Sequence, residues 1–404
     1  MRFSSNRCAL IVRRSISVLA AGAVALVLVA GAASVLGARA RSVTTPYLVL
    51  AANDLGMHCG QADYSEMLIL PPYNTLRAQV IRRGASEPDL ITSGVTVKFA
   101  LLHNTHSADK TNFWDFSFPA LGNPLPDVGI TGTRLQGTMV APTGLVRDYA
   151  AVGIPITPID DSGRELAYNL ATITVERSGQ VVARTQAVVP VSTEMSCNLC
   201  HNTPGVSTAT DILRAHDRLH ATNLESRKPV MCAECHGDNA LGAPGQPGVS
   251  SLSSAMHLGH STRMGSLNIA NTCYACHPGV RTSCQRDVHS ARGMTCTDCH
   301  GSMAAVGNPT RRPWIEEPSC GSCHQSRRPT FAFEQPGVLF RDSIGHSGVK
   351  CISCHSSPHA VTPAVTELDN VQSNLVQNRT GVLNDCTACH VGGAPGPFFH
   401  SVEH

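Results

Sequence analysis

Seven pentapeptides of the form Cys-x-x-Cys-His lie between Cys197 and His390. Their reactive side chains are Cys197, Cys200 and His201; Cys232, Cys235 and His236; Cys273, Cys276 and His277; Cys296, Cys299 and His300; Cys320, Cys323 and His324; Cys351, Cys354 and His355; and Cys386, Cys389 and His390. Two thiols three residues apart sit on one turn and can each add to a vinyl group of a haem, while the imidazole that follows lies under the iron as proximal ligand. Zinc is the competing use of Cys-x-x-Cys, but structural zinc sites join two such knuckles and have no need of a histidine after every second cysteine. Histidine makes up 19 of 404 residues, so finding it by chance after all seven pairs has odds on the order of one in a billion. The motifs predict seven covalently attached haems c.

An iron so held has a sixth position to fill. Nine further histidines fall in the same stretch: His216, His220, His257, His260, His289, His346, His359, His400 and His404. Nine candidates for seven positions are enough for every iron to take two imidazoles. His289 and His346, shortly before Cys296 and Cys351, are the leading distal candidates. His216 and His220 share a helical face at i, i+4, and His257 and His260 pose a similar choice. His404 is the weakest, because chain ends fray. Methionine competes through Met195, Met231, Met256, Met264, Met294 and Met303, and a thioether would raise the reduction potential relative to a second imidazole. With histidine so plentiful, methionine is expected at one iron at most.

Residues 1–40 read as a signal peptide, with Arg2, Arg7, Arg13 and Arg14 before an apolar run and an Ala38-Arg39-Ala40 cleavage site. The run is long enough to span a bilayer if it were retained as an anchor. These residues hold five arginines and no acid, so the formal charge falls from +2 for the whole chain to −3 for the remainder. Two propionates per haem make the loaded protein acidic, which argues against nucleic acid as partner; Arg311, Arg312, Arg327 and Arg328 are candidate propionate partners. Of 17 cysteines, the motifs use fourteen and Cys8 lies in the signal. Cys59 and Cys284 remain, and an even remainder in an oxidising compartment suggests a bridge between them, with two buried free thiols as the alternative.

Two regions follow the signal. Residues 41–195 lack the motif and carry β-type runs at 47–52, 77–82 and 95–102, with a hairpin from Tyr168 through the turn Arg177-Ser-Gly-Gln180 to Val191. They predict an all-β, sandwich-like domain. Residues 196–404 have one motif per about 30 residues, too little polypeptide for an ordinary hydrophobic core. That region is expected to be irregular, with short α-helices such as one over 211–220, ordered around its porphyrins. Motif spacing varies from 23 to 41 residues, so no structural solenoid is implied.

In these residues the chain resembles bacterial periplasmic and extracellular multihaem c-type cytochromes. The front region is similar to the non-haem segment of some large members, through Asn53-Asp-Leu-Gly-Met-His-Cys59, Leu70-Pro-Pro-Tyr-Asn74, Lys110-Thr-Asn-Phe-Trp-Asp115, Gly153-Ile-Pro-Ile-Thr-Pro-Ile-Asp160 and Val191-Ser-Thr-Glu-Met-Ser196. The resemblance implies export to the periplasm or cell exterior. It also implies electron transfer along close-packed haems in respiration, with redox proteins or an external acceptor as partners and a homo-oligomer or filament as a further form. His58 is then either a haem ligand, in its own chain or a neighbouring subunit, or a structural histidine in a turn, while His103 and His106 are surface residues. The alternative function is a reductase of a small nitrogen or sulfur oxyanion, which needs one iron with an open position. No motif departs to the Cys-x-x-Cys-Lys form that marks the active haem in related nitrite reductases.

Overall fold

The computed structural model describes residues 46–400 except 86, 144–146, 266, 314–315, 335–336 and 394–399. The signal segment and His404 lie outside the described residues. Strands dominate the first part: β1 (Tyr47–Ala52), β2 (His58–Cys59), β3 (Met67–Leu68), β4 (Thr75–Arg82), β5 (Asp89–Leu90), β6 (Thr96–Leu101), β7 (Gln136–Thr138), β8 (Tyr149–Val152), β9 (Tyr168–Arg177) and β10 (Gln180–Ser192). One short strand, β11 (Val230–Met231), comes later and pairs in parallel with β3. The helices are α1 (Thr208–His220), α2 (Leu252–Ser261), α3 (Cys296–His300), α4 (Met303–Val306), α5 (Gly321–His324), α6 (Cys351–His355) and α7 (Val371–Gln377).

The hairpin forms as its sequence requires. Ser178 and Gly179 both take positive φ, at 49° and 76°, the backbone that lets a two-residue turn follow the right-handed twist of its strands. The sheet continues in the order β2-β10-β9-β6-β7. In the other sheet, β1 runs antiparallel along one edge of β4, and β5 and β8 share the opposite edge. Alternation then decides where each strand is buried. β1 is an unbroken apolar run, and all six residues are buried. Its Tyr47, Val49 and Ala51 enter the main core with Leu76, Phe99 and Ile173 of strands from both sheets. Leu48 and Leu50 point the other way, onto Ala388, Val349, Val376 and Leu383 of the motif-bearing region.

Beyond residue 196 the apolar interior thins out. Among the described residues, only nine of the 43 buried hydrophobic ones lie there, and four of those nine are alanines. Polar contacts bind this part to the sheets. The Glu194 carboxylate accepts the backbone N–H groups of Gly279, Val280, Arg281 and Thr282 at 2.6–3.2 Å; burial works against its charge, yet these donors hold it at about 2. Gln79 accepts from Lys350 N–H and donates to the Gly348 carbonyl, and the Gln372 side chain accepts the Ala51 N–H. Thr44–His404 is accordingly one compact unit.

The strongest single tie is Arg286. Its guanidinium makes two bonds to Asp369, 2.6 and 2.9 Å, with both side chains at most 2% exposed, and lies 5.1 Å from the centre of the Tyr168 ring in β9. Arg286→Met leaves the Asp369 charge buried and unpaired, and is expected to lower stability by about 3–5 kcal/mol. Lys98→Met, at the exposed pair with Glu176, should cost less than about 1 kcal/mol. Denaturant unfolding of the two variants beside the parent measures the contrast; equal midpoints would remove Arg286 from this role.

Candidate functional site

Each motif folds into a single helical turn. The histidine N–H bonds back to the carbonyl of the first cysteine, at 2.8–3.0 Å for His201, His236, His277, His324 and His390, and the other two motifs are the short helices α3 and α6 themselves. The turn brings the two cysteines and the imidazole of each motif together locally. A longer helix would carry the chain away along its axis, and the Gly, Ser and Pro residues that follow several motifs stop it.

Each motif histidine faces one second histidine. The ring centres are 6.5 Å apart for His201 and His260, 6.2 Å for His236 and His216, 6.0 Å for His277 and His257, and 5.9 Å for His300 and His359. They are 6.1 Å apart for His324 and His289, for His355 and His400, and for His390 and His346. Two imidazoles bound to one metal through facing nitrogens, at about 2 Å each, place their ring centres about 6 Å apart. No partner is used twice.

The pairing follows space, not sequence. His289 faces His324 although Cys296 is the nearer motif, and His346 faces His390 although Cys351 is nearer. A histidine a few residues before a motif is tethered to the same side of the turn, whereas the second imidazole must approach from the opposite side. One helix, α2, supplies both His257 and His260, to different motifs. Of the distal candidates among the described residues, His220 alone faces no motif histidine; it is exposed beside His216, ring centres 4.8 Å apart. His58 donates from Nε2 to the Pro71 carbonyl, 2.7 Å away, which is the structural use of a turn histidine. His103 is exposed, and His106 pairs with Asp109 at 2.6 Å on the surface. Cys59 and Cys284 stand as separate thiols in the structure. They are nevertheless neighbours, and burial with Cys284 alongside pushes the Cys59 thiol well above its ordinary value.

The second nitrogen is engaged in six of the seven distal rings. Nδ1 of His257 and of His260 bonds to the helical carbonyls of Ser253 and Met256, at 2.7 and 2.6 Å. His400 uses the Ala332 carbonyl at 2.6 Å, His216 the Thr222 hydroxyl at 2.9 Å, His289 the Asp287 carboxylate at 3.0 Å, and His359 the Cys284 sulfur at 3.7 Å. With Nδ1 taken, Nε2 is the nitrogen left to bind a metal, and the ring is fixed in orientation. Burial pushes His277, His300 and His355 down to about 4, with neighbouring histidines adding to the effect. Their rings are neutral near pH 7, the state a metal requires. None of these partners was readable from spacing, since most come from carbonyls or from segments outside the motifs.

The turns also adjoin one another in a definite order. Cys276 of the third motif lies beside Cys197 and Cys200 of the first, and Cys273 beside Cys296 of the fourth. Cys299 neighbours Cys323, Cys320 neighbours Cys351, and Cys354 neighbours Cys389. The second motif joins through α2, whose Leu252 N–H bonds to the Gly237 carbonyl. A cavity of about 1330 Å³ runs through the third to sixth motifs, and all four of their histidine pairs line it. Among the described residues, no group of three or more His, Cys, Asp or Glu side chains is set to hold a bare metal ion, whereas a porphyrin brings four nitrogens and asks the protein for two. No family model, curated protein or solved structure matches this chain.

Proposed function

We propose that the chain is a heptahaem c-type cytochrome that transfers electrons. The observation that carries this reading is the one-to-one facing of seven motif histidines and seven other histidines at the separation a single metal would require. The cavity supports it. It is about 1330 Å³ and is lined by four of the seven histidine pairs. The region that surrounds it has few apolar side chains to fill it.

Haem, when bound, supplies a one-electron couple at iron. The fourteen cysteines tether it, and the fourteen paired histidines hold the metal from both sides. The Nδ1 partners of six distal rings would fix those rings and grade their basicity. Arg311 and Arg328 reach the cavity wall, where their guanidinium groups suit propionates. Two imidazoles per iron leave no position for an oxyanion, so the carrier reading is favoured over the reductase. The order of adjoining turns gives a route of motifs one, three, four, five, six and seven, with motif two entering through α2. The front region is read as a two-sheet sandwich, because strands of both sheets share one core. Export, contact with redox partner proteins or an external acceptor, and assembly with further copies complete the proposal.

The oxidised protein, from a host that attaches haem c, is expected to weigh seven haems more than its processed polypeptide. Its EPR spectrum should be low-spin throughout and unchanged by nitrite or sulfite, and the visible spectrum of the dithionite-reduced protein should be unchanged by carbon monoxide. A colourless product would remove the haem reading; a high-spin signal answering to nitrite would favour the reductase.

Removing one distal ring tests the pairing itself. His260→Ala should convert about one seventh of the iron to a high-spin form that binds carbon monoxide, since His201 then stands alone. His220→Ala should leave the spectrum as it was. Carbon monoxide difference spectra of the two variants decide the matter, and the reverse outcome would refute the assignment of His260.

A further inference from the structure

The region without motifs closes over one distal histidine, and Cys59 and Cys284, the two cysteines that no motif uses, lie at that contact. His359 is half-buried, facing His300, with its backbone at φ +60°. A non-glycine residue holds that conformation only where its surroundings enforce it. Here they do. The His359 carbonyl accepts the Arg286 N–H at 2.8 Å, and the Asn53 N–H donates to the Ser357 hydroxyl at 3.1 Å. Gly56 is a neighbour, and a Cβ on it would lie 3.5 Å from His359 Nδ1, at van der Waals contact. Cys59 pairs in register with Ser192 of β10, and the Ser192 hydroxyl bonds to that of Thr282 at 2.8 Å, two residues before Cys284.

Sulfur is the partner that this arrangement leaves to His359 Nδ1. The Nδ1 atoms of His216, His257, His260, His289 and His400 all meet oxygen instead. We propose that Cys284 is a positioning residue for the metal centre of His300 and His359: its Sγ accepts the Nδ1–H of His359, and residues 53–59 seal that contact, so that the front region sets the reduction potential of the fourth haem. The inference rests on the haem reading. On this inference Cys284 stays a thiol, since a bond to Cys59 would turn its Sγ into a disulfide sulfur and draw it away from the ring. An acceptor on Nδ1 makes the imidazole a stronger donor and favours the oxidised metal. Losing the acceptor moves the potential upward.

The test uses the full holoprotein, after mass and absorbance have established that seven haems are loaded. Failure to load counts against the haem reading, whereas a failed titration of the loaded protein counts against Cys284 alone. In a spectroelectrochemical titration, Cys284→Ala should shift about one seventh of the amplitude to higher potential and change one low-spin EPR component. Cys284→Ser, which keeps an acceptor, should bring that component back toward the parent. A purely structural cysteine would lower stability without moving one component. Superimposable titrations of the parent and Cys284→Ala would overturn the proposal. Should the alanine variant not accumulate, the parent still answers: alkylation of denatured, unreduced holoprotein is expected to modify both Cys59 and Cys284, and a recovered Cys59–Cys284 bridge would overturn it.

Discussion

Two imidazoles facing each other across about 6 Å are the recurrent constraint on this chain beyond residue 196. Each pair joins segments that the sequence keeps apart, such as His300 with His359 or His355 with His400. On the proposed reading a metal joins each pair, and a link of this kind restricts the unfolded chain much as a disulfide does, its effect growing slowly with the length of loop enclosed. Seven such links, in a region whose described residues include nine buried hydrophobic ones, replace the close-packed interior that orders an ordinary domain. On the proposed reading, metal binding and folding of this region are one process. The short helices are then turns that present ligands, and their lengths answer to the ligand geometry more than to helix propensity.

The sheets supply what the ligand network lacks. β1 is buried on both faces, and so belongs at once to the main core and to the smaller one that includes Ala388 and Val349. Gln79, Glu194 and Gln372 satisfy backbone groups of the opposite region, where unpaired N–H groups would otherwise be buried at a cost of about 1–3 kcal/mol each. Arg286 fastens the Cys284 segment to Asp369 and to the Tyr168 ring. A motif-free region held by these contacts gives a wall against which the second histidines are oriented.

Much of this was legible in the sequence, and the reasons differ by element. The hairpin could be read because Ser178-Gly179 sits between two β-branched runs, and β1, β4 and β6 fell where apolar runs predicted them. α1 extends three residues before the expected helix, where the Ser207 hydroxyl accepts the Thr210 N–H. Short strands such as β2, β3 and β11 carry no periodic signal; they exist because distant segments meet. The motif residues were legible for the same local reason as the hairpin. The distal candidates could be named as a set from their density, while the choice of His359 for His300 depends on how residues 284–288 and 357–361 run side by side. Cys59 and Cys284 were paired by counting, and counting cannot distinguish a bridge from two neighbouring thiols of which one serves a histidine.

The second nitrogen of each ring carries the remaining information. A helical carbonyl holds His257 and His260, a hydroxyl holds His216, a carboxylate holds His289 and sulfur holds His359. These acceptors differ in strength, with an ionised carboxylate forming the strongest bond, so the rings cannot all be equally basic. On the proposed reading, identical motifs would therefore hold metals of different potential without any change in the ligating atoms. Adjacency of the turns adds direction, since the first motif neighbours the third and the second stands aside through α2. On the proposed reading, potential is graded by residues outside the motifs and the route is set by which turns touch. Neither property follows the order in which the motifs are written along the chain.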